Sequence, residues 1–299
     1  MINFLNKVSL IKSMKNTLLL RLSSFFLLFL LSSCQRSSTP LRMLVMPIGS
    51  VENTRSTYSS FVSHLEDSVN RKVDLITPST YAEVKDVLVS ESTFDVINLN
   101  GVLFSQYYDP KRYQIFAQET LGGQSTYNSM FIARRSSDIY QLSDIKGKLL
   151  ALDNKYSTSG GLVPVLMLMN DNLYPNSDYK IQFLNSHFAA AQSVIRGDSD
   201  VAAVSWKTLR KLIRDKKVDP NALRIVAVSF PIPLDPWILD RNLSDHLKTQ
   251  ISNSFFNLSN RSVMRSLGSD GFVPATPQTY SSLKPEDSKL YRSIIGEKY

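Results

Sequence analysis

Residues 149–169 read LLALDNKYSTSGGLVPVLMLM and predict a strand, a loop and a helix in direct succession. The four apolar residues at the start are typical of a buried strand, and the apolar run at the end is typical of a buried helix. Pro164 fits only near the first turn of a helix, so the helix begins at about Ser159 or Gly160. Its unpaired backbone N–H groups and the positive end of its dipole therefore point out of the loop.

Three hydroxyl side chains, Ser157, Thr158 and Ser159, accompany those N–H donors. A tetrahedral oxyanion needs several donors that converge from one side, and a hydroxyl run at a helix N-terminus supplies them without a full positive charge. One Ser or Thr would be enough to cap the helix, which is the alternative interpretation. Three hydroxyls followed by two glycines are more than a cap requires, but the pattern alone is compatible with both interpretations.

Strands and helices alternate on both sides of this segment, which is typical of βαβ units and predicts an α/β protein with parallel sheets. Nothing repeats at a fixed period, so a solenoid is not expected. We predict strands at Met43–Met46, Lys72–Thr77, Asp95–Leu99, Lys148–Leu152, Tyr179–Leu184 and Ser199–Val204, and helices at Thr57–Val69, Tyr81–Val89 and Phe188–Arg196.

Two stretches have the composition of crossings between lobes, one near Gly122-Gly123 and the other at Pro231–Pro236. Two crossings mean that the second lobe is inserted into the first. We expect residues 41–125 and 237–299 to form the first lobe and residues 126–236 to form the second.

The N-terminal segment has the composition of an export signal. Its four basic residues are unopposed by any acid and precede the apolar run Leu22–Leu31, which is too short to span a bilayer, where about 20 residues are needed. The sequence Leu31-Ser32-Ser33-Cys34 resembles the lipobox at which bacteria attach diacylglycerol to the cysteine. We therefore expect residues 1–33 to be a lipoprotein signal peptide and residues 34–40 a lipidated tether; the alternative is a stray cysteine near a conventional cleavage site.

Composition excludes some function classes. The chain has 299 residues, of which 43% are hydrophobic and 20% charged, as in ordinary globular proteins. Without residues 1–34 the formal net charge falls from +8 to +4, with 30 basic against 26 acidic residues. Nucleic-acid binding then loses its main compositional support. A mild positive balance suits an anionic ligand, and a solvated surface would explain it equally well.

The segment Tyr156–Pro164 resembles the Ser-Thr-Ser-Gly-x-Leu-Val-Pro signature of the phosphate, phosphite and phosphonate periplasmic-binding family, the substrate-binding subunits of phosphonate-type ABC importers. The resemblance implies a type II periplasmic binding protein, in which two α/β lobes joined by two crossings close on a ligand in the cleft between them. Further similar stretches are Ser79–Ala82, Asp95-Val96, Thr126–Ser129, Leu142–Lys148, Ser186-His187, Pro231–Pro236 and Gly271–Pro274.

The resemblance also implies roles for individual residues. Ser157–Ser159 would donate hydroxyl and backbone hydrogen bonds to the oxyanion. Tyr81 and Tyr127 would add phenolic donors from either side of the cleft. His187 would donate an imidazole hydrogen bond, and Asp235 would accept one from a protonated ligand oxygen or from a ligand substituent. Taken singly, each has an ordinary explanation, such as packing for a tyrosine and turn formation for an aspartate between prolines.

Two departures from the family pattern bear on the ligand. Members of the family that bind aminoalkyl-phosphonates carry an acidic residue about twenty positions after the histidine, and Lys207 stands there in this chain. Lys207 would repel a ligand ammonium. The stretch Ile97–Gly101 replaces the aromatic and glycine residues usual after that strand, so part of the pocket wall differs. Both changes favour phosphite, methylphosphonate or phosphate over amine-bearing phosphonates.

A serine hydrolase is the first competing interpretation, since Ser157, His187 and Asp235 are the residue types of a catalytic triad. The nucleophile elbow requires Gly-x-Ser-x-Gly, and the chain has Lys155 and Ser159 in place of those glycines, so no enzyme is expected. A metal site is disfavoured because the three histidines lie far apart and the only cysteine is committed to lipid. No cofactor is expected.

The resemblance implies an ABC permease and, through it, an ATPase as partners of a monomer held on the membrane of the cell envelope by its lipid. Two alternatives stay open at this stage. The chain would serve equally well as the ligand-binding subunit of an envelope sensor, or as a binder of another small oxyanion.

Overall fold

The structure is a computed structural model that describes residues 39–90 and 93–296. The predicted signal peptide and Cys34 therefore lie outside the described residues. Among the described residues, Thr39–Pro40 and Asn70–Lys72 belong to one compact unit, and the rest belong to a second unit, which holds the strands and helices given below.

Strands and helices alternate along that unit. The strands are β1 (Leu41–Leu44), β2 (Val73–Ile76), β3 (Val96–Asn98), β4 (Tyr113–Thr120), β5 (Thr126–Tyr127), β6 (Ser129–Arg134), β7 (Leu149–Leu152), β8 (Lys180–Phe183), β9 (Val201–Ser205), β10 (Leu223–Val228), β11 (Ile232–Pro233), β12 (Pro236–Asp240) and β13 (Gly271–Pro274). The helices are α1 (Val51–Val69), α2 (Tyr81–Ser90), α3 (Gly101–Tyr107), α4 (Val163–Asn170), α5 (His187–Arg196), α6 (Trp206–Arg214), α7 (Asp245–Phe256), α8 (Arg261–Leu267) and α9 (Pro285–Ile294).

The strands form two larger sheets. The first has the order β13-β4-β12-β3-β1-β2, and the second has the order β10-β6-β9-β7-β8. A short antiparallel ribbon of β5 and β11 pairs Tyr127 with Ile232 and Thr126 with Pro233. The segment in which the chain leaves the first sheet, β5, therefore pairs with the segment in which it returns, β11. Helix α9 contacts both α3 and α4, so the C-terminal segment packs against elements that follow strands of either sheet.

The predicted strands and helices are confirmed, with ends within two residues of the prediction for all but one of them. Helix α1 is the exception, because it begins at Val51 rather than at Thr57. The N–H of Thr54 already donates to the Ser50 carbonyl, and the Thr54 side chain is buried, so tertiary packing extends the helix backwards.

The prediction of parallel sheets was wrong for part of each sheet. β1 runs parallel to β2 and β3, but β12 is antiparallel to β3 and β4, and β13 is antiparallel to β4. In the second sheet β7 is parallel to β8 and β9, whereas β6 is antiparallel to β9 and β10. The reason is the double crossing: β4 carries the chain out of the first sheet and β12 carries it back in the opposite direction. We propose the lobe boundaries at residues 125 and 236, beside the β5–β11 ribbon.

An aromatic cluster fills the core between the first sheet and the helices α1 and α7. Phe255 lies at its centre, with ring centroids 4.9 Å from Phe61, 5.0 Å from Trp237 and 4.8 Å from Phe272. Phe255 and Trp237 are fully buried. Edge-to-face pairs of this kind add to the hydrophobic stabilisation that burial alone supplies.

Replacing Phe255 by Ala is expected to lower the free energy of unfolding by about 3–5 kcal/mol, because it opens a cavity at the centre of the cluster. Phe256 is the matched control, since it is the next residue in the same helix and is 38% exposed. Its replacement by Ala should cost about 1 kcal/mol or less. Urea denaturation of both variants measures the difference, and equal losses would contradict this description of the core.

Candidate functional site

The loop after β7 turns sharply back on itself before the next helix. The N–H of Asp153 donates to the Gly160 carbonyl at 2.9 Å, and the N–H of Gly160 donates to the Ser157 hydroxyl at 3.1 Å. Thr158–Leu162 forms a wide π-type turn, and α4 follows with its proline in the first turn as predicted. The helical path thus begins at Thr158, close to the predicted start, but its first turn is wider than an α-helix because Gly160 has a non-helical backbone conformation.

Both glycines of the loop are required by close packing. A Cβ on Gly160 would lie 2.6 Å from the Asp153 Cβ and 2.6 Å from the His187 Cε1 atom. A Cβ on Gly161 would lie 2.5 Å from the Asn154 carbonyl oxygen. The loop is therefore pressed against Asp153 and His187, and no other residue type fits at these positions without displacing backbone or buried side chains.

The three hydroxyl residues of the loop are buried, each less than 5% exposed. The Ser157 oxygen caps the turn by accepting from Gly160, and the Thr158 oxygen accepts from the Val102 N–H at 3.2 Å. The Ser159 carbonyl accepts from the Ser129 hydroxyl at 2.6 Å. An oxygen that accepts a hydrogen bond keeps its own O–H available as a donor. The helix-cap interpretation is thus correct for Ser157. Because the cap uses the Ser157 oxygen only as an acceptor, its O–H group can still donate a hydrogen bond.

Tyr127 and Tyr81 are placed beside this loop from two different elements. Burial raises the pKa of the phenol of Tyr127, in β5, and the charge of Asp235 raises it further, whereas the nearby hydroxyls of Ser159 and Thr158 lower it. Burial likewise raises the pKa of Tyr81, the first residue of α2, and the charges of Asp153 and Asp235 raise it further. Both phenols therefore stay protonated at neutral pH and can act as neutral hydrogen-bond donors.

His187 begins α5 after the cap residue Ser186, and both of its ring nitrogens have protein partners. The Ser205 N–H donates to Nδ1 at 3.4 Å, so in the neutral ring Nε2 carries the proton and faces Asp153 Oδ2 at 3.4 Å. Burial lowers the pKa of His187, and the Asp153 carboxylate offsets part of this effect. The carboxylate partner of His187 is Asp153 rather than Asp235, so the residue types of a triad are present without the connectivity that a triad needs.

Asp235 lies in the return crossing between β11 and β12 and is partly exposed. Burial raises the pKa of its carboxyl to about 7, Lys207 acts to lower it, and Glu119 acts to raise it. The neighbouring backbone is fixed by Tyr280, whose hydroxyl donates to the Leu234 carbonyl at 2.9 Å. Asp235 is therefore a carboxyl group that gains or loses its proton near neutral pH.

Lys207 and Glu119 form an ion pair across the two sheets. Lys207 is in the first turn of α6, which follows β9, and its Nζ lies 3.9 Å from Oε2 of Glu119 near the end of β4. The side chain of Lys207 is 39% exposed and that of Glu119 is 13% exposed. Burial raises the pKa of Glu119, Lys207 lowers it, and the Trp237 indole lowers it further without reaching the geometry of a full hydrogen bond.

Two carboxylates of the site, Asp153 and Glu119, were missed in the sequence. Asp153 had a usable signal, because it directly follows a buried strand at the edge where parallel strands place functional groups. No pattern in the sequence pointed to Glu119, because its partner Lys207 is distant in sequence. The altered stretch at residues 97–101 proves to support the loop: Asn100 caps α3 and donates to the Tyr156 carbonyl at 2.8 Å.

Neither a membrane span nor a metal site emerges from the part of the chain that the structure describes. Within residues 39–90 and 93–296, no helix is both long and apolar enough to cross a membrane. Within the same residues, no three His, Cys, Asp or Glu side chains gather as metal ligands would.

Two α/β sheets linked by paired crossings give this chain the two-lobed fold of periplasmic binding proteins. The family model described as "ABC transporter, phosphonate, periplasmic substrate-binding protein" matches residues 43–280. The chain belongs to this family.

Several known proteins are similar to this chain. The phosphonates-binding periplasmic protein of Escherichia coli (strain K12) is 27% identical over 242 residues, which cover 79% of this chain and 71% of the relative. A binding protein component of an ABC phosphonate transporter from Pseudomonas aeruginosa has a TM-score of 0.71 at 22% identity, over 86% of this chain and 87% of its own. A methylphosphonate complex from Prochlorococcus marinus (MIT 9301) has a TM-score of 0.70 at 16% identity, over 85% and 98%.

The raised pKa of Asp235 predicts a specific pH dependence of stability. The folded protein holds the Asp235 proton up to about pH 7, whereas an unfolded aspartate loses it near its ordinary value of 3.8. Between these values the folded state binds more protons, so the contribution of Asp235 to stability falls as the pH rises. Asp235→Asn mimics the protonated acid and should gain several degrees of melting temperature relative to wild type at pH 8, but not at pH 4.

Thermal melts of both proteins at pH 4 and pH 8 measure this difference. Asp67→Asn serves as control, because Asp67 is exposed on α1. A difference between Asp235→Asn and wild type that does not change with pH would show that the carboxyl of Asp235 is not destabilised by its surroundings.

Proposed function

We propose that this chain is the lipid-anchored substrate-binding component of an ABC importer, and that its ligand is a small phosphorus oxyanion without an amine, such as phosphite, methylphosphonate or phosphate. The observation that carries the proposal is the buried hydroxyl run Ser157–Ser159, with the phenol of Tyr127 close enough for two of its hydroxyls to lower the phenol's pKa. The ligand-binding set consists of Tyr81, Tyr127, Ser157, Thr158, Ser159, His187 and Asp235.

The donor types support a tetrahedral oxyanion. Hydroxyls, phenols and backbone N–H groups at the start of a helix give several short hydrogen bonds from one side. Their neutrality suits reversible capture, because the ligand is bound by hydrogen bonds that it can exchange for water on release. His187 with its proton on Nε2 is already directed at Asp153, so its contribution to the ligand requires that contact to be shared or exchanged.

The relatives support the ligand class. The Escherichia coli relative is a phosphonates-binding protein, and the Prochlorococcus marinus structure contains methylphosphonate. The Lys207–Glu119 pair supports the restriction to ligands without an amine, because the Lys207 ammonium lies 3.9 Å from Glu119 and also lowers the pKa of Asp235, so it compensates the two carboxyl groups that would otherwise attract a cation.

The lipid anchor and the partners rest on sequence and family. Cys34 at the end of the signal-like segment is the proposed lipidation site, and it places the folded part on the membrane of the cell envelope. In an importer of this type the monomeric binding protein delivers its ligand to a permease that an ATPase drives. Ligand capture needs no covalent step.

Tyr127→Phe and Ser159→Ala are each expected to weaken phosphonate binding by about tenfold to a hundredfold, since a hydrogen bond to a charged group contributes about 1.5–3 kcal/mol. Calorimetry with phosphite, methylphosphonate and phosphate measures the affinities, and thermal melts without ligand report on folding. Tyr140→Phe is the matched control, because Tyr140 is 63% exposed.

The control should bind as wild type does. Failure of all three anions to bind the wild-type protein would refute the proposed ligand class. Unchanged affinity in both site variants would show that the anion binds elsewhere.

A further inference from the structure

The C-terminal segment leaves the first sheet and ends against the second. Strand β13 is an edge strand of the first sheet, and α9 follows it. Helix α9 packs against α3, which follows β3 of the first sheet, and against α4, which follows β7 of the second sheet. Residues 280–295, which we call the C-terminal strap, therefore connect the two sheets in addition to the paired crossings.

The first end of the strap is held on α3. The ring centroid of Tyr280 lies 5.0 Å from that of Phe104 in α3, and Leu283 is buried in the same apolar cluster as these two rings. The hydroxyl of Ser288, which is fully buried, is in hydrogen-bonding contact with the hydroxyl of Ser105 in α3. This end of the strap is thus fixed to the first sheet at several points.

The other end of the strap is buried against the second sheet. Tyr291 is fully buried and belongs to the apolar cluster on one face of that sheet. The buried members of this cluster lie within residues 131–203, apart from Val102 at the start of α3 and Tyr291 itself. Ile295, which is partly buried, packs against the same cluster. The strap therefore places a large aromatic side chain in the core of the second sheet.

The strap also touches the loop that carries the hydroxyl run. A Cβ on Gly161 would lie 2.8 Å from the hydroxyl oxygen of Tyr291, so the phenol lies directly against the backbone of the loop. A Cβ on Gly101, the first residue of α3, would collide with Leu283 of the strap and would lie 3.0 Å from Cγ2 of Thr158. The loop, α3 and the strap are therefore closely packed at one place, where a displacement of one requires a displacement of the others.

The described arrangement of the two sheets is closed. The hydroxyl run is less than 5% exposed, and Lys207, which follows the second sheet, lies 3.9 Å from Glu119 in the first. The N–H of Val102 donates to the Thr158 hydroxyl between the same two parts of the chain. Separating the sheets at the loop would also expose the apolar surface of Tyr291, which costs free energy. The contacts of the strap thus stabilise the closed arrangement relative to an open one.

We propose that the C-terminal strap holds the two lobes closed, with its α3 end fixed to the first lobe and Tyr291 as the end that leaves the core of the second lobe when the cleft opens. Helix α9 follows residue 280, at which the match to the family model ends. The inference goes beyond the proposed function, because it concerns the equilibrium between open and closed lobes and requires no particular ligand. Its consequence for binding is that the apparent affinity falls with the fraction of closed protein.

The test is to weaken the second-lobe end of the strap with Tyr291→Ala. Tyr291→Leu is a milder variant that keeps an apolar side chain, and it tests the same point if the alanine variant does not fold. Small-angle X-ray scattering measures the radius of gyration, which should exceed the wild-type value without ligand and return to it with saturating methylphosphonate. Calorimetry should give a methylphosphonate affinity about tenfold weaker or more in Tyr291→Ala, because less of the protein is closed.

Two controls separate the action of the strap from a general loss of stability. Leu290→Ala removes a side chain that is 47% exposed on the same helix, and it should leave the radius of gyration and the affinity at their wild-type values. Phe255 belongs to a different apolar cluster from the strap residues. Phe255→Ala should therefore lower the melting temperature without changing the ligand-free radius of gyration.

The outcomes separate this inference from the proposed function. A folded Tyr291 variant with the ligand-free radius of gyration of wild type would overturn the role of the strap and leave the proposed function intact. An equal increase of the radius in Phe255→Ala would also overturn it, because opening would then follow from lost stability alone. Failure of wild type to bind phosphite, methylphosphonate and phosphate would refute the proposed function, and the ligand-free radii would still decide the role of the strap.

Discussion

The hydrogen bond from the Asp153 N–H to the Gly160 carbonyl, 2.9 Å long, closes the loop on which the rest of the cleft depends. It turns the chain back directly after β7, so three consecutive hydroxyl residues are buried at a helix start instead of being spread along a surface loop. The same closure brings Gly160 against Asp153 and His187, where a side chain of any size would collide. The wide turn that follows is the geometric consequence, because the chain must reach α4 with Gly160 in a non-helical conformation.

The electrostatics of the cleft follow from that closure. Burial keeps the phenols of Tyr81 and Tyr127 protonated, and the imidazole of His187 neutral, so donors without charge surround the place proposed for the anion. A buried anion is stabilised there by hydrogen bonds rather than by ion pairing. The charged groups of the cleft are the Lys207–Glu119 pair and Asp235. Because the pKa of the Asp235 carboxyl is about 7, this group can accept or release a proton near neutral pH.

The sequence was informative where the determinants are local. The strand, the hydroxyl run, the two glycines and Pro164 lie within one short segment, and their order predicts a loop closed at the start of a helix. Determinants that join distant segments were not predicted. The antiparallel strands follow from a double crossing, and no local sequence pattern indicates the direction in which the returning strand runs. The Glu119–Lys207 contact joins residues that are distant in sequence and meet only in the folded protein. Asp153 is an intermediate case. Its position after a buried strand can be read from the sequence, but its contact with His187 cannot.

The two sides of the proposed site differ in how firmly the fold holds their side chains. The proposed oxyanion side is built from backbone and buried hydroxyls that cannot be altered without disturbing the loop, as the packing of Gly160 and the hydrogen bond from the Val102 N–H to Thr158 show. On the substituent side, Glu119 is fixed by its strand, whereas Lys207 is a partly exposed side chain on the first turn of a helix. A change at Lys207 disturbs no buried hydrogen bond, so the charge preference of the cleft can change while the oxyanion site stays intact. In the proposed function, selectivity by charge at an accessible position is therefore separable from affinity for the phosphorus group, which we propose the buried loop supplies.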